Sequence, residues 1–147
     1  MTNKRVIHLE IHNAKKQDLY QIIELDKKMI GNDHRKEEIN HAINEDRCLI
    51  LYQGDEIAGF LIYHTHFFDC CFISLIMVDP AHQRNGVASS LLTHMSKISP
   101  TNKLFSSTNE SNESMKKAFI KNHFKKSGFV DNLDEGDPEI IYFKNCY

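Results

Sequence analysis

The stretch VDPAHQRNGVASSLL, residues 78–92, lies near the middle of this 147-residue chain and decides how the surrounding segments are read. FISLIMV, residues 72–78, is rich in β-branched and large apolar residues over a length that suits a strand. After the turn, apolar residues recur at helical spacing as far as Ile98. The stretch therefore predicts a strand, a tight turn and a helix.

The predicted turn has a composition that suits an anion. Helix N-termini expose unpaired backbone N–H groups and carry a partial positive charge. The small residues Gly86 and Ala88 would let an anion approach the backbone closely. Gln83 and Arg84 add side-chain donors, and arginine can hold a phosphate through two hydrogen bonds. The turn therefore predicts a phosphate or pyrophosphate site.

Two other nucleotide-binding motifs do not fit this turn. A GxxxxGK[ST] loop needs a second glycine and a lysine, and neither lies nearby. The GxGxxG fingerprint needs three glycines after the first strand of a parallel unit, whereas here one glycine follows the fourth predicted strand. Both motifs are excluded.

The composition limits the class of protein. Apolar residues make up 41% and charged residues 26% of the chain, and the net charge is -2. We expect no nucleic-acid partner, because such proteins usually carry a basic excess. No apolar run reaches the roughly 18 residues that cross a bilayer, and the first residues do not resemble a signal peptide, so we expect a cytoplasmic protein without a membrane partner.

One segment, HTHFFDCC at residues 64–71, brings histidines and cysteines together and raises the question of a metal. Strand alternation puts His64, His66 and Cys70 on one face and Cys71 on the other. We therefore expect no metal site, and we expect reduced cysteines because their spacing resembles no disulfide framework.

The order of predicted elements is strand, two helices, three strands, helix, strand, helix, two strands. The chain contains no repeat or linker and is predicted to form one domain over residues 1–147. This order predicts a mixed α/β sheet of about seven strands with an antiparallel front half, and about four helices. The predicted segments are VIHLEI (6–11), a helix capped by Asp18, a helix over 35–44, CLILY (48–52) and IAGFLIYH (57–64) around a QGDE turn, FISLIMV, a helix after Gly86, KLFSST (103–108), a helix capped by Asn112, SGFV (127–130) and IIYFK (140–144).

The stretch 78–92 resembles the coenzyme-binding motif of the GNAT N-acetyltransferase superfamily, [Q/R]xxGx[G/A] after a strand that ends in V-x-P. The element order matches as well, so the resemblance covers essentially the whole chain. It implies the GNAT fold, in which parallel fourth and fifth strands splay apart and the pantetheine of acetyl-CoA enters the gap. The cofactor-binding residues implied by position are Ile76, Met77 and Val78 through their backbone, Gln83, Arg84, Asn85, Gly86, Val87 and Ala88 at the pyrophosphate, and Asn112 at the next helix start.

The catalytic residues depart from the family pattern. Amide formation from a thioester needs a neutral amine, a stabilised oxyanion and a proton for the leaving thiolate. The resemblance implies a backbone oxyanion donor near Met77. Many relatives carry a tyrosine seven residues after the helix-starting asparagine and some carry a glutamate five residues before it, but Phe119 and Ser107 occupy these positions here. The resemblance therefore supplies neither an acid nor a base.

The segment DNLDEGDPE, residues 131–139, offers a substitute because five of its nine residues are acidic. We call residues 79–86, between the FISLIMV strand and the following helix, the coenzyme turn. If the strands that end near Val78, Ser107 and Val130 are parallel, the acidic loop emerges at the same sheet edge as this turn. An acidic loop there favours a cationic acceptor. Glu135 is our preferred proton acceptor, since crowded carboxylates become more basic, with Tyr142 as an alternative proton donor.

The resemblance implies an acetyltransferase that moves an acetyl group from acetyl-CoA directly to a primary amine in a ternary complex, and the acidic loop favours a small cationic molecule as the acceptor. The changes at Phe119 and Ser107 keep open an acyl-CoA-binding sensor without turnover. A protein or peptide acetyltransferase is a third interpretation. Dimers are common in this fold, so a homodimer is also kept as an expectation, although no surface for it is indicated.

Overall fold

The computed structural model describes residues 9–147, which form one seven-stranded sheet and four α-helices. The predicted first strand begins at Val6, so its first three residues lie outside the described part of the chain. The bounds are β1 Leu9–Asn13, α1 Leu19–Ile30, α2 Lys36–Asn44, β2 Cys48–Gln53, β3 Glu56–Phe67, β4 Cys70–Val78, α3 Val87–Ile98, β5 Lys103–Asn109, α4 Glu113–Lys121, β6 Lys125–Val130 and β7 Glu139–Asn145.

The strand order across the sheet is β1-β2-β3-β4-β5-β7-β6. Neighbours from β1 to β4 are antiparallel, β4 and β5 are parallel, and β7 is antiparallel to both β5 and β6. The parallel pair requires a crossover, which α3 provides. The predicted mixed sheet with an antiparallel front half is confirmed.

The parallel strands β4 and β5 pair only at their beginnings. Their register contains three pairs, of which Ile73 with Ser106 is the last, although both strands continue. At this point the Ser106 hydroxyl donates to the Ile73 carbonyl at 2.9 Å. The register of β4 with β3 also shifts here, so that Ser74 stands as an extra residue. The strands separate beyond this shift, which confirms the predicted splay.

Two buried clusters lie on opposite faces of the sheet. On one face α1 and α2 cover β2 and β3, with Ile22, Ile39 and Phe60 fully buried among them. On the other face α3 and α4 pack with Leu91 and Phe119 at the centre. Because the gap between β4 and β5 opens through the sheet, both layers contribute to its walls.

The ends of two helices, α1 and α4, bear on the sequence predictions. Asn112 caps α4 as expected, its Oδ1 accepting from the Met115 N–H at 3.1 Å. His123, after the end of α4, has φ 70°, the left-handed conformation that often follows a helix. Asp18 precedes α1 but does not cap it. Its carboxylate accepts instead from the Lys15 N–H and the Tyr52 hydroxyl, each at 2.7 Å.

Within residues 9–147, no helix is long and apolar enough to span a membrane.

Candidate functional site

The gap between β4 and β5 widens into a cleft of about 720 Å³. It runs from the C-terminal end of α1, past β4 and the turn before α3, to one side of α4. Nearly all of the residues predicted for the coenzyme site are brought together here, and several unpredicted ones join them. The lining residues are Met29, Ile30, Ile76, Met77, Val78, Gln83, Arg84, Gly86, Val87, Ala88, Ser89, Asn112, Ser114, Met115, Lys117, Ala118 and Lys121.

The backbone of β4 presents alternate residues to the gap. The Asp79 N–H donates to the Ala58 carbonyl of β3 at 2.8 Å, and the Met77 carbonyl lies close to Gly59 of the same strand. Backbone groups alternate in direction along a strand, so those of Ile76 and Val78 face β5 across the gap. This alternation suits the predicted backbone contacts of Ile76 and Val78 better than an oxyanion donor at Met77.

The coenzyme turn bends through two left-handed residues. Arg84 has φ 72° and Gly86 has φ 76°, and α3 begins directly afterwards at Val87. A Cβ placed on Gly86 would have no neighbour within 4 Å, so the space beside this residue is open. With the unpaired amides of the first turn of α3, the bend forms a concave surface suited to an anion.

A polar network beneath the turn holds its shape, and the sequence analysis did not predict it. The His82 side chain is buried, with Nδ1 2.8 Å from Gln53 Oε1 and Nε2 3.0 Å from Glu56 Oε2. Asn85 Nδ2 donates to the same Gln53 oxygen at 3.0 Å. The Asn85 side chain therefore supports the turn from below, and Asn85 is not among the residues that line the cleft.

The turn is also tied to α1. Asp79 Oδ1 accepts from the Ala81 N–H at 2.9 Å and from Lys28 Nζ at 3.2 Å. Burial by itself would raise the pKa of Asp79, but these two donors bring it below its ordinary value. The carboxylate therefore stays charged and anchors the start of the turn.

The α4 wall of the cleft is basic. Lys117 and Lys121 stand four residues apart on one face of the helix and both line the cleft. Asn122, at the end of α4, donates to the Ser89 hydroxyl at 3.0 Å and so links this helix to α3. The lysine spacing was visible in the sequence, but only the packing of α4 shows which side of the helix faces the gap.

No side chain at the usual tyrosine position can supply a proton. Phe119 is fully buried and stacks on Tyr142, with ring centroids 4.7 Å apart. Burial raises the pKa of the Tyr142 hydroxyl. Tyr142 lines a second groove with Lys116 and Lys126 rather than the cleft, and Lys117 and Lys121 stand between the two.

The acidic loop packs against the connection between β5 and α4. Asn109 Nδ2 donates to Asp134 at 2.8 Å, and the Ser111 hydroxyl donates to Asp137 at 2.6 Å. Because β6 runs in the same direction as β5, the loop emerges at the edge where β5 ends, as the topology argument expected. Glu135 is exposed at this edge and is not a lining residue of the cleft.

The histidine and cysteine segment shows no metal arrangement. In the part of the chain that the structure describes, no group of three or more His, Cys, Asp or Glu side chains is placed to hold a metal ion. The rings of His64 and His66 stack with centroids 5.7 Å apart. The four cysteines are free thiols, and burial raises the pKa of Cys48 to about 12.

Solved structures share this fold. A GNAT acetyltransferase from Bacillus cereus ATCC 10987 is 53% identical over 94% of this chain and 97% of its own, with a TM-score of 0.92. Arabidopsis thaliana Naa50, in complex with the bisubstrate analogue CoA-Ac-MVNAL, is 16% identical over 93% and 98% of the two chains, with a TM-score of 0.77. The acetyltransferase yncA from Salmonella typhimurium, with its cofactor acetyl-CoA, is 16% identical over 95% and 94%, with a TM-score of 0.75.

A search of curated protein sequences found no match. The family model described as the acetyltransferase (GNAT) family matches residues 16–124, which run from the start of α1 through the end of α4. The matched range holds both splayed strands and the coenzyme turn. The chain therefore belongs to the family of GNAT N-acetyltransferases.

Proposed function

We propose that this protein, acting as one domain, transfers an acetyl group from acetyl-CoA to a primary amine on a small cationic molecule, directly within a ternary complex. One observation carries the proposal: the end of β4 that is no longer paired with β5, the turn before α3 and the basic face of α4 line a single cleft. The pyrophosphate would lie against the start of α3, and the pantetheine would extend along Ile76 and Val78 into the gap. The related yncA structure contains acetyl-CoA.

We expect Lys117 and Lys121, the two lysines of α4 that line the cleft, to attract the negatively charged phosphates of acetyl-CoA. We expect the double variant Lys117→Ala/Lys121→Ala to raise the Kd for acetyl-CoA about 10-fold at low ionic strength and less at high salt, because exposed charge contacts are screened. Isothermal titration at two salt concentrations measures this change. The variant Lys97→Ala/Lys126→Ala removes the same charge outside the cleft and should leave the Kd unchanged, and equal effects of the two variants would contradict the assignment.

The reaction joins the amine nitrogen to the thioester carbonyl carbon. A neutral amine attacks, and the tetrahedral intermediate breaks its carbon–sulfur bond and releases the CoA thiolate. The oxyanion needs a backbone N–H donor from β4. Met77 remains the donor predicted from the sequence, and the adjacent Val78 is the residue whose N–H faces the gap. The thiolate takes its proton from water, since Phe119 has none to give.

If water protonates the leaving thiolate, the alternative proton donor Tyr142 is not needed for catalysis. We expect Tyr142→Phe to leave kcat within about 2-fold of wild type, because Tyr142 does not line the cleft, whereas general acids typically contribute about 10²- to 10⁴-fold. Steady-state CoA release measures kcat. A loss above about 50-fold, with unchanged stability, would instead make Tyr142 the acid.

The acidic loop supports a cationic acceptor and the proton acceptor Glu135. Its carboxylates stand near the end of β5, where they raise the local concentration of cations. We expect Glu135→Gln to lower kcat/KM about 10-fold if Glu135 removes the amine proton through water. Glu139→Gln is the comparison, because Glu139 begins β7 and lies opposite Asn109 in the register of β5 and β7. If Glu139→Gln lowers kcat/KM and Glu135→Gln does not, Glu139 rather than Glu135 would be the proton acceptor.

The test of the overall function is CoA thiol release from acetyl-CoA with a panel of polyamines, amino acids, aminoglycosides and peptides, scanned over pH. Amine-dependent release with a preference for small cations is expected. Preference for neutral or anionic small amines would contradict the cationic acceptor. Preference for peptides would favour protein acetylation, as the peptide analogue bound by Naa50 illustrates. Protein that binds acetyl-CoA but releases no thiol with any amine would instead be a sensor.

A further inference from the structure

One face of the sheet is left uncovered beside the cleft. The helices α1 and α2 pack on β2 and β3, whereas α3 and α4 lie on the opposite face, so the described helices leave β5, β7 and β6 open on this side. A row of laterally paired side chains crosses the open face, consisting of His64, Phe72, Phe105, Phe143 and Lys125. Such a row of aromatic rings is unusual on an exposed sheet surface.

The rings of this row contact one another and one more phenylalanine. The His64 and Phe72 centroids are 5.5 Å apart, and those of Phe105 and Phe143 are 5.2 Å apart. Phe67, at the end of β3, lies over the row, 4.7 Å from Phe72 and 5.0 Å from Phe105. These separations are those of favourable aromatic pairs, so the surface is preformed.

Beside the row lies a groove of about 460 Å³. Its inner part is formed by the partly buried residues Phe67, Phe105 and Ile141. Its rim is formed by Phe68, which is 87% exposed, and Phe129, which is 64% exposed. The volume falls in the usual range for small-molecule sites, and a concave aromatic site suits a small ligand better than a flat protein surface.

The sheet face that carries the groove leads along β5 to the gap. Phe105 is followed on the same face of β5 by Ser107 and Asn109, since side chains alternate along a strand. Beyond Ser106, β5 is no longer paired with β4, so this face borders the gap. From Phe105 to Asn109 the distance is roughly 13 Å at about 3.3 Å per residue. The acidic loop contacts Asn109. The side chains on this face of β5 therefore lead from the apolar groove at Phe105 to the carboxylates of the loop at Asn109.

We propose that the acceptor of this enzyme is a primary amine with an aromatic or branched apolar end, which binds in the groove while its amine lies at the gap. The inference rests on the proposed acetyl transfer and specifies its substrate class. The positive charge of the amine is complementary to the carboxylates of the loop. The apolar end would be buried against the aromatic side chains of the groove. The two ends of the acceptor would lie roughly 13 Å apart, the length of β5 from Phe105 to Asn109.

A chain-length series of ω-phenylalkylamines tests this substrate class, with spermidine and unsubstituted short amines for comparison. We expect kcat/KM to rise at least about 10-fold to a maximum at the length that spans the two ends, since each buried methylene contributes about 10-fold or more in a fitted apolar site. Equilibrium binding of the same amines to the protein–CoA complex should show the same optimum without depending on turnover.

Rim variants locate the apolar end. Phe68→Asn suits the left-handed backbone at this position, where φ is 49°, and Phe129→Ser lies on an exposed edge strand, so both should fold. We expect each to lower kcat/KM for the best phenylalkylamine about 5- to 10-fold and to leave the Kd of acetyl-CoA unchanged. Tyr20→Ser is the matched control, because Tyr20 is 73% exposed on α1 and lines neither the groove nor the cleft.

The outcomes separate this inference from the proposed function. Amine-dependent CoA release with no chain-length optimum, or with spermidine preferred, overturns the aromatic acceptor and leaves acetyl transfer standing. No release with any amine removes the proposed function, and a flat binding series in the same protein overturns the groove assignment as well. A concentration-dependent dimer that Phe129→Ser dissociates would show that two copies of the chain cover the groove, which also overturns the inference.

Discussion

Gly59→Ala is expected to lower the free energy of unfolding by about 2–3 kcal/mol and to weaken acetyl-CoA binding at least 10-fold. Gly59 lies on β3 directly beneath α3 and next to the gap-forming end of β4. A Cβ on it would stand 2.6 Å from the Met77 carbonyl oxygen and 2.9 Å from Val87 Cγ1. The first of these atoms belongs to the backbone, so β4 itself must shift, and with it the wall along which pantetheine would lie.

Gly128→Ala is the matched control for this prediction. Gly128 also lies on a strand, but a Cβ there would meet nothing within 4 Å. We expect its free energy of unfolding to stay within about 0.5 kcal/mol of wild type, as for ordinary surface substitutions. Denaturant unfolding and titration with acetyl-CoA measure the two effects. A Gly59→Ala protein as stable as Gly128→Ala would show that β4 can shift at no cost.

Gly86→Ala is expected to raise the Kd for acetyl-CoA about 30-fold, or ~2 kcal/mol. The substitution acts separately on stability and on affinity. The left-handed backbone at φ 76° costs alanine about 1 kcal/mol of stability in the free and the bound protein alike. The methyl group raises the Kd, because it would enter the open space where the pyrophosphate is expected. Because the second effect acts only on the complex, the loss of affinity should exceed the loss of stability.

Gly136→Ala separates the two contributions. Gly136 lies in the acidic loop with φ 72° and, like Gly86, has no atom within 4 Å of the Cβ position. It should therefore lose a similar amount of stability, about 1 kcal/mol, while its Kd for acetyl-CoA remains that of wild type. If both glycine variants bind acetyl-CoA normally, the pyrophosphate does not lie against the turn.

The pairing of Phe119 with Tyr142 shapes the expected catalysis. In this enzyme the usual tyrosine position contributes to the core, since Phe119 packs between Tyr142 and Phe124 on the helix-covered face. A proton for the thiolate then has to come from solvent in the open cleft. Loss of a positioned acid costs rate but does not abolish a reaction that has a good leaving group.

Local patterns in the sequence were sufficient for the elements and for most of the coenzyme site. The strand, turn and helix around Gly86 are contiguous, so a motif read along the chain places Gln83, Gly86 and Ala88 together in space. The cap at Asn112 and the left-handed residue His123 are likewise set by neighbours within a few positions. Asp18 was mispredicted because its carboxylate bonds to Tyr52, which lies 34 residues away.

The tertiary structure alone decided which distant residues meet. Gly59 contacts Met77 and Val87 only through the β3–β4 register and the packing of α3. Asn85 supports the turn and does not line the cleft, because its side chain donates to Gln53, which lies on β2. The aromatic row depends on the register of four strands, which no single segment encodes. A sequence thus determines what each segment can form, whereas contacts between remote segments depend on how sheet and helices pack, because only packing sets their separation and direction.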